Sequence, residues 1–91
     1  MRVFLKVAEG ILDCDKYSLQ ENLASAEAVQ AYADSMDITL SDDAANKILE
    51  VCTAWVEGTG NGDLNGSHDY YYTVSQPLDD LESTTQGDNM I

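Results

Sequence analysis

Two stretches of the chain alternate apolar and polar residues with a period of two, which is the pattern of half-buried β-strands. In residues 2–8, the apolar positions of one face are Val3, Leu5 and Val7. A Glu-Gly pair then offers a turn, so residues 11–14 are a candidate partner strand. The same region also carries a stripe at helical spacing, so a helix is the alternative prediction. That stripe is Phe4, Val7, Ile11 and Cys14.

The second alternating stretch is residues 69–75, in which aromatic and β-branched side chains favour a strand. Its two faces carry Tyr70, Tyr72 and Val74 on one side and Tyr71 on the other. Pro77 is expected to end this strand, because proline cannot donate a ladder hydrogen bond.

Helical spacing dominates the middle of the chain. One helix is predicted over residues 25–36, with Ser25 as its N-cap. An earlier start is the alternative, because Ser18 with Glu21 three residues later has the form of a capping box. Residues 18–24 therefore stay unassigned.

A second helix is predicted over residues 41–57. Ser41 is a good N-cap, and the two aspartates after it suit the positive end of the helix dipole. Gly58 supplies a C-terminal stop. The predicted buried face is Ala45, Ile48, Leu49, Cys52, Trp55 and Val56.

These elements together predict an α+β fold. The expected sheet is small and antiparallel, made of residues 2–8 and 69–75 with residues 11–14 as a candidate third strand, and it is covered by helices over 25–36 and 41–57. A chain of 91 residues suits one modest core, so residues 1–77 are expected to form a single domain. Residues 78–91 are acidic with few apolar anchors and are expected to form a flexible tail.

Charge is the most distinctive property of the composition. Seventeen acidic residues face four basic ones, a formal net charge of −13 at pH 7. Residues 1–33 carry −2 of this charge and residues 34–91 carry −11. Duplex DNA holds about one charge per 1.7 Å of axis, so this charge matches roughly 22 Å of duplex, comparable with the roughly 30 Å diameter of such a domain. Such a surface repels nucleic acids and anionic membranes and attracts basic surfaces.

The acidic residues supply the candidate binding site. Asp43, Glu50 and Glu57 recur every seven residues, so they share one helix face at intervals of about 10.5 Å. A solvated helix face is the commoner explanation of such a stripe taken alone, and Lys47 partly neutralises it. The predicted partner-binding residues are Asp34, Asp37, Asp42, Asp43, Glu50, Glu57, Tyr71, Asp79, Asp80 and Glu82. The carboxylates would stand in for phosphates, and Tyr71 would anchor the contact.

Catalytic and metal chemistry find little support in the sequence. A glycine-rich segment matches a calcium loop at Asn61, Asp63, Asn65, Gly66 and Asp69, but Tyr72 stands where a bidentate glutamate is required. His68 has no second histidine or cysteine at zinc-ligand spacing. Cys14 and Cys52 belong to no nucleophile motif. No enzyme activity, metal, cofactor or direct nucleic-acid binding is therefore expected.

The chain has no apolar run long enough to span a membrane, and two cysteines are too few for a disulfide framework. A cytoplasmic location is expected. In size, acidity and lack of a catalytic motif, the chain resembles the small phage-encoded inhibitors of host defence, the anti-CRISPR and anti-restriction DNA mimics. This likeness is in overall character, and no motif carries it. It implies a non-catalytic inhibitor of a basic nuclease or CRISPR effector, acting in the bacterial host cell.

Three other interpretations stay open. An adaptor protein could bind its partner through apolar and tyrosine surface, with acidity serving only solubility. A calcium-binding module would use the glycine-rich segment. Adaptation to high salt would also explain the charge, but it predicts acidity along the whole chain and not mainly after residue 33.

Overall fold

A computed structural model of the chain describes residues 3–59 and 70–85. These residues form five α-helices and one π-helical segment. The helices are α1 (Val3–Leu12), α2 (Lys16–Asn22), α3 (Ala26–Asp34), α4 (Asp42–Thr59) and α5 (Gln76–Thr85), and the π-helical segment is Tyr71–Ser75. The principal extents are 35 × 24 × 17 Å. None of the described helices is long and apolar enough to cross a membrane.

The predicted α+β fold is wrong, because the described residues contain no strand. The first predicted strand, residues 2–8, falls in α1, and residues 11–14 form the end of α1 and the turn after it. Phe4, Val7 and Ile11 are fully buried at helical spacing. Leu5, Ala8 and Leu12 widen this buried face. A face this wide contains apolar pairs two residues apart, so over a short window it imitates a strand.

The second predicted strand, residues 69–75, is also helical from Tyr70 onward. Val74 and Leu78 are fully buried, and Tyr70 packs against the same core one turn earlier. Tyr72, which a strand would place beside Tyr70, is 63% exposed. The spacing of four residues between the buried positions is that of a helix.

Pro77 lies inside this helical stretch and does not end it. The N–H of Gln76 donates to the carbonyl of Tyr71, five residues earlier, which defines the π turn. Because proline has no N–H, the hydrogen bond to the carbonyl of Thr73 is lost, and departures from α-helical geometry occur at such interruptions. Residues 78–85, predicted as part of a flexible tail, therefore belong to α5, while residues 86–91 lie outside the described residues.

The two helices predicted for the middle of the chain are present as α3 and α4. Ser25 Oγ accepts a hydrogen bond from the Ala28 N–H at 3.1 Å, and Ser41 Oγ accepts one from the Ala44 N–H at 3.2 Å. Gly58 does not stop α4, which ends one residue later. The unassigned residues 18–24 fall mostly in α2, whose N-cap is Asp15.

The core is built around α4, which packs against α1, α3, α5 and the π-helical segment. The fully buried side chains of largest volume in the core are Trp55, Phe4, Ile11, Ile48, Leu78, Val7, Val29, Val74 and Cys52. Burying an aliphatic or aromatic side chain of this size contributes about 1.5–3 kcal/mol. Because α4 turns one face to these neighbours, its opposite face, with its carboxylates, is left to solvent.

Candidate acidic binding surface

The predicted stripe on α4 is exposed along its length: Asp43, Glu50 and Glu57 all face solvent. Lys47 Nζ lies 3.1 Å from Glu50 Oε2 and offsets part of that charge. The stripe spans about 21 Å along the axis, a length over which duplex DNA carries about 12 charges. The stripe alone is therefore too sparse to imitate a duplex.

Four exposed carboxylates lie between the end of α3 and the start of α4. The Gln30 amide donates to the Leu40 carbonyl at 3.2 Å and to Asp42 Oδ1 at 3.0 Å. These bonds join the middle of α3 to the start of α4, and Asp34 lies one turn after Gln30 on the same side of α3. We call the four exposed residues gathered here the acidic corner: Asp34, Asp37, Asp42 and Asp43.

Asp37 has a backbone conformation that glycine usually occupies. Its φ is 60°, in the left-handed region. The Ile38 N–H donates to the Ala33 carbonyl at 2.9 Å, and the Asp37 N–H donates to the Asp34 carbonyl at 3.0 Å. These are the two bonds of a Schellman motif, with aspartate in place of its preferred glycine. The left-handed conformation costs a non-glycine residue about 1 kcal/mol.

Asp34 is also disfavoured by its position. It is the last residue of α3, where the helix dipole is negative, and no basic residue lies in that last turn. Asp42 and Asp43 are the opposite case, because they occupy the first turn of α4, where the dipole favours anions. Local helix stability therefore accounts for Asp42 and Asp43 at their positions, but not for Asp34 and Asp37.

The predicted site residues on α5 lie on a helix that contacts α4 but not α3. Asp80 is exposed and Asp79 is half-buried. Glu82 is only 5% exposed, and its carboxylate accepts the N–H groups of Val3 at 3.2 Å and Phe4 at 2.9 Å. Glu82 thus caps the start of α1, and its carboxylate is occupied inside the protein.

Tyr71 is half exposed, and its ring meets that of Tyr72 edge to face, with centroids 5.1 Å apart at 79°. Tyr72 was not among the predicted site residues, because a strand would place it on the same face as Tyr70 and Val74. The four-residue spacing from Tyr70 to Val74 to Leu78 was the available signal. An open groove of about 480 Å³ adjoins Tyr72. Its lining residues are Lys47, Tyr72, Gln76, Pro77, Asp80 and Leu81.

Other exposed carboxylates are spread over α1, α2 and the start of α3. These are Glu9, Asp13, Asp15, Glu21 and Glu27. Each described α-helix therefore carries or adjoins exposed negative charge, and the charge is not confined to one side. The acidic corner holds four exposed carboxylates within residues 34–43.

The titratable groups with shifted pKa values lie in or near the core. Burial raises the pKa of the Cys52 thiol to about 12. Burial also raises the pKa of Tyr70, with Glu9 and Cys52 adding to the effect. A thiol with so high a pKa is not a nucleophile. Among the described residues, no three histidine, cysteine or carboxylate side chains are placed to hold a metal ion. The calcium-loop motif and His68 lie outside the described residues.

Comparison of the chain with protein-family models, with curated proteins and with solved structures found no match. No residue role is therefore transferred to this chain from another protein. The functional argument depends on the carboxylates and tyrosines described above.

Proposed function

We propose that this protein is a non-catalytic inhibitor that binds the positively charged nucleic-acid-binding surface of another protein, as a DNA mimic of the anti-CRISPR or anti-restriction type. The acidic corner is the centre of the contact. The observation that carries the proposal is the pair Asp34 and Asp37, two exposed carboxylates placed where local stability favours other residues. Residues held at a local cost are typical of functional sites.

The remaining charge has a supporting role in this proposal. A net charge of −13 attracts a basic groove over a distance, which speeds association and makes it sensitive to salt. The acidic corner then supplies the close contacts. The carboxylates on α1 and α2 contribute to the long-range attraction without touching the target.

A target in the cytoplasm of a bacterial host, such as a nuclease or a CRISPR effector, fits this mode of binding. Such proteins present continuous basic channels for nucleic acid, which a carboxylate cluster can occupy in place of phosphates. The inhibitor itself would repel nucleic acid and would act by competing with it.

The test compares two variants that remove four charges each. One is Asp34→Asn, Asp37→Asn, Asp42→Asn and Asp43→Asn in combination. The matched control is Glu9→Gln, Asp13→Asn, Asp15→Asn and Glu21→Gln in combination. Both have a net charge of −9. Asparagine tolerates the left-handed backbone at position 37, accepts the Gln30 hydrogen bond at position 42 and serves as an N-cap at position 15.

The measurement is displacement of fluorescent duplex DNA from a panel of purified nucleases and CRISPR effectors, followed by anisotropy. Charge pairs of this kind contribute about 0.2–1 kcal/mol each, so the corner variant should inhibit about tenfold less well than the wild type. The control should lose about threefold at most. Equal losses in the two variants would show that only total charge matters. Circular dichroism of both variants checks that each is folded.

The exposed Tyr71 and Tyr72 favour a second candidate, an adaptor that binds its partner through the tyrosine pair and the groove beside it. Acidity would then serve only solubility. Raising the salt concentration separates the two functions, because a contact between charges weakens and an apolar contact holds or tightens.

A further inference from the structure

The tyrosine pair is not explained by the acidic corner. Tyr72 is 63% exposed and Tyr71 is 51% exposed, on a helix whose neighbouring residues reach the core. Tyrosine is among the residues that contribute most to protein interfaces, because its ring buries a large area at little entropic cost. The two rings meet edge to face, and Tyr72 lines the groove.

The fold holds Tyr72 in this outward position. Tyr70, two residues before Tyr72, packs its ring edge to face against Trp55, with ring centroids 5.0 Å apart and ring planes at 82°. Val74 is fully buried two residues later. Tyr72 lies between these two anchors, so it faces away from the core. The π turn between Tyr71 and Gln76 lies at the same place, and such turns are frequent at functional sites.

The lining of the groove beside Tyr72 combines apolar surface with one carboxylate. Pro77 and Leu81 contribute apolar surface, and Asp80 is exposed. Lys47 also lines the groove, but its ammonium is held by Glu50 at 3.1 Å. The charges of the two charged lining residues, Lys47 and Asp80, cancel, and Glu50, which pairs with Lys47 but does not line the groove, brings the local sum to −1 within a protein of net charge −13. This balance disfavours an anion and favours a cation.

We propose that the groove binds an arginine side chain presented by the partner, with its guanidinium plane stacked on the Tyr72 ring and its N–H groups donating to the Asp80 carboxylate. The inference rests on the proposed function, since the partner is a basic protein. A guanidinium is flat, stacks on aromatic faces and pairs with carboxylates through two parallel hydrogen bonds. A lysine ammonium is more strongly hydrated and has neither property, so the groove prefers arginine to lysine.

The test uses two labelled peptides of equal length and charge, one of arginine only and one of lysine only. Their affinities are measured by anisotropy at about 0.1 M salt, where the Debye length is about 10 Å. The quantity of interest is the ratio of the two dissociation constants. Cation–π contacts at exposed sites imply that Tyr72→Leu lowers the preference for arginine by about two- to fivefold. Tyr72→Phe keeps the ring and should keep the preference, and Asp80→Asn should lower it.

Tyr17 provides the matched control, because it is 72% exposed on α2, outside the groove. Tyr17→Leu should leave the preference unchanged. The inference is overturned if Tyr72→Leu and Tyr17→Leu have the same ratio. NMR amide chemical shifts, followed while the arginine peptide is added, should change most at Tyr72, Gln76 and Asp80. The inference is also overturned if the largest changes lie elsewhere. A second copy of the chain covering the groove would overturn it as well.

This experiment fails separately from the test of the proposed function. Removing the four charges of the acidic corner should weaken both peptides alike and leave their ratio unchanged. If Tyr72→Leu leaves the ratio of the two dissociation constants unchanged while DNA displacement still depends on the acidic corner, only the proposal for the groove is rejected. A ratio sensitive to Tyr72 with no DNA displacement would reject only the DNA mimic.

Discussion

The backbone at Asp37 is left-handed, with a φ of 60°, at the point where α3 ends. Glycine adopts this conformation without strain but loses more entropy on folding. We therefore expect Asp37→Gly to raise the free energy of unfolding by about 0.5–1 kcal/mol. Asp37→Asn should leave it nearly unchanged, because asparagine also tolerates this region. Urea denaturation of the three proteins checks the prediction. A loss of stability in Asp37→Gly would mean that the carboxylate supports the fold, and would weaken its assignment to binding.

Tyr70 buries its hydroxyl oxygen with no hydrogen-bond partner in the described part of the chain. An unsatisfied buried hydroxyl is costly, so Tyr70→Phe should stabilise the protein by about 1 kcal/mol. The exposed Tyr17 gives the control, since Tyr17→Phe should have no effect. If Tyr70→Phe is destabilising instead, the hydroxyl has a partner and the prediction is wrong.

The same residue makes stability depend on pH in the alkaline range. Burial raises the pKa of Tyr70, so the folded state keeps its proton at pH values where the unfolded chain, with a tyrosine pKa of about 10, loses it. The stability from this difference is present below about pH 10 and is lost as pH rises above it. Tyr70→Phe should flatten that loss, measured by urea unfolding over the alkaline range. Some loss of stability with rising pH should remain in both the wild type and Tyr70→Phe, because the pKa of Cys52 is also raised, to about 12.

At the scale of elements, Glu82 joins the two ends of the described chain. Its carboxylate accepts the N–H groups of Val3 and Phe4, 79 and 78 residues away in sequence. These are donors of the first turn of α1, which has no partner for them within the helix. We expect Glu82→Gln to lower the free energy of unfolding by about 1.5–3 kcal/mol, the range for hydrogen bonds to a charged group.

The control for this prediction is Asp80→Asn, which removes the same charge from an exposed position on α5. Thermal unfolding of both variants gives the comparison. Equal small effects would mean that the contact between Glu82 and α1 contributes nothing measurable to stability.

Two glycines inside helices should respond oppositely to alanine. A Cβ on Gly10 would lie 2.5 Å from Tyr32 Oη, whereas one on Gly58 would meet nothing within 4 Å. Alanine improves helix propensity by about 1 kcal/mol at either site, but at position 10 overpacking costs about 1–3 kcal/mol. Gly58→Ala should therefore raise the melting temperature and Gly10→Ala should lower it. Adding Tyr32→Phe to Gly10→Ala should restore part of the loss, and no recovery would show that the clash lies elsewhere.

At the scale of the whole molecule, the described residues carry 14 acidic and 3 basic side chains, a net charge of −11, over extents of 35 × 24 × 17 Å. Most repulsive pairs are therefore separated by more than the Debye length of about 10 Å at 0.1 M salt. We expect the melting temperature to rise by a few degrees up to about 0.2 M sodium chloride and then to level off. A protein adapted to high salt would keep gaining stability into the molar range, so a continued rise would favour that origin of the charge.

Sequence reasoning was most successful where the signals are local. The hydroxyls of Ser25 and Ser41 accept hydrogen bonds from the first turns of α3 and α4, as their positions predict. It was wrong for α1 and for the segment around Tyr70, where a wide buried face resembles alternation in a short window. The residue that shows the helical spacing of that segment is Leu78, which follows Pro77, the residue predicted to end the strand. For the site, exposure of the α4 stripe followed from helical spacing, but the burial of Glu82 and the exposure of Tyr72 did not.

Composition and local spacing alone determined the acidity of this protein, its two capped central helices and the solvent-facing row on α4, because each depends on residues within a few turns of one another. Tertiary structure decided which carboxylates are available. It placed Glu82 on the first turn of α1 and tied Asp42 to the middle of α3 through Gln30. It also turned Tyr72 outward by anchoring Tyr70 on Trp55. These outcomes depend on contacts between separate helices, and the free energy of such packing is set by partners that no short sequence window contains.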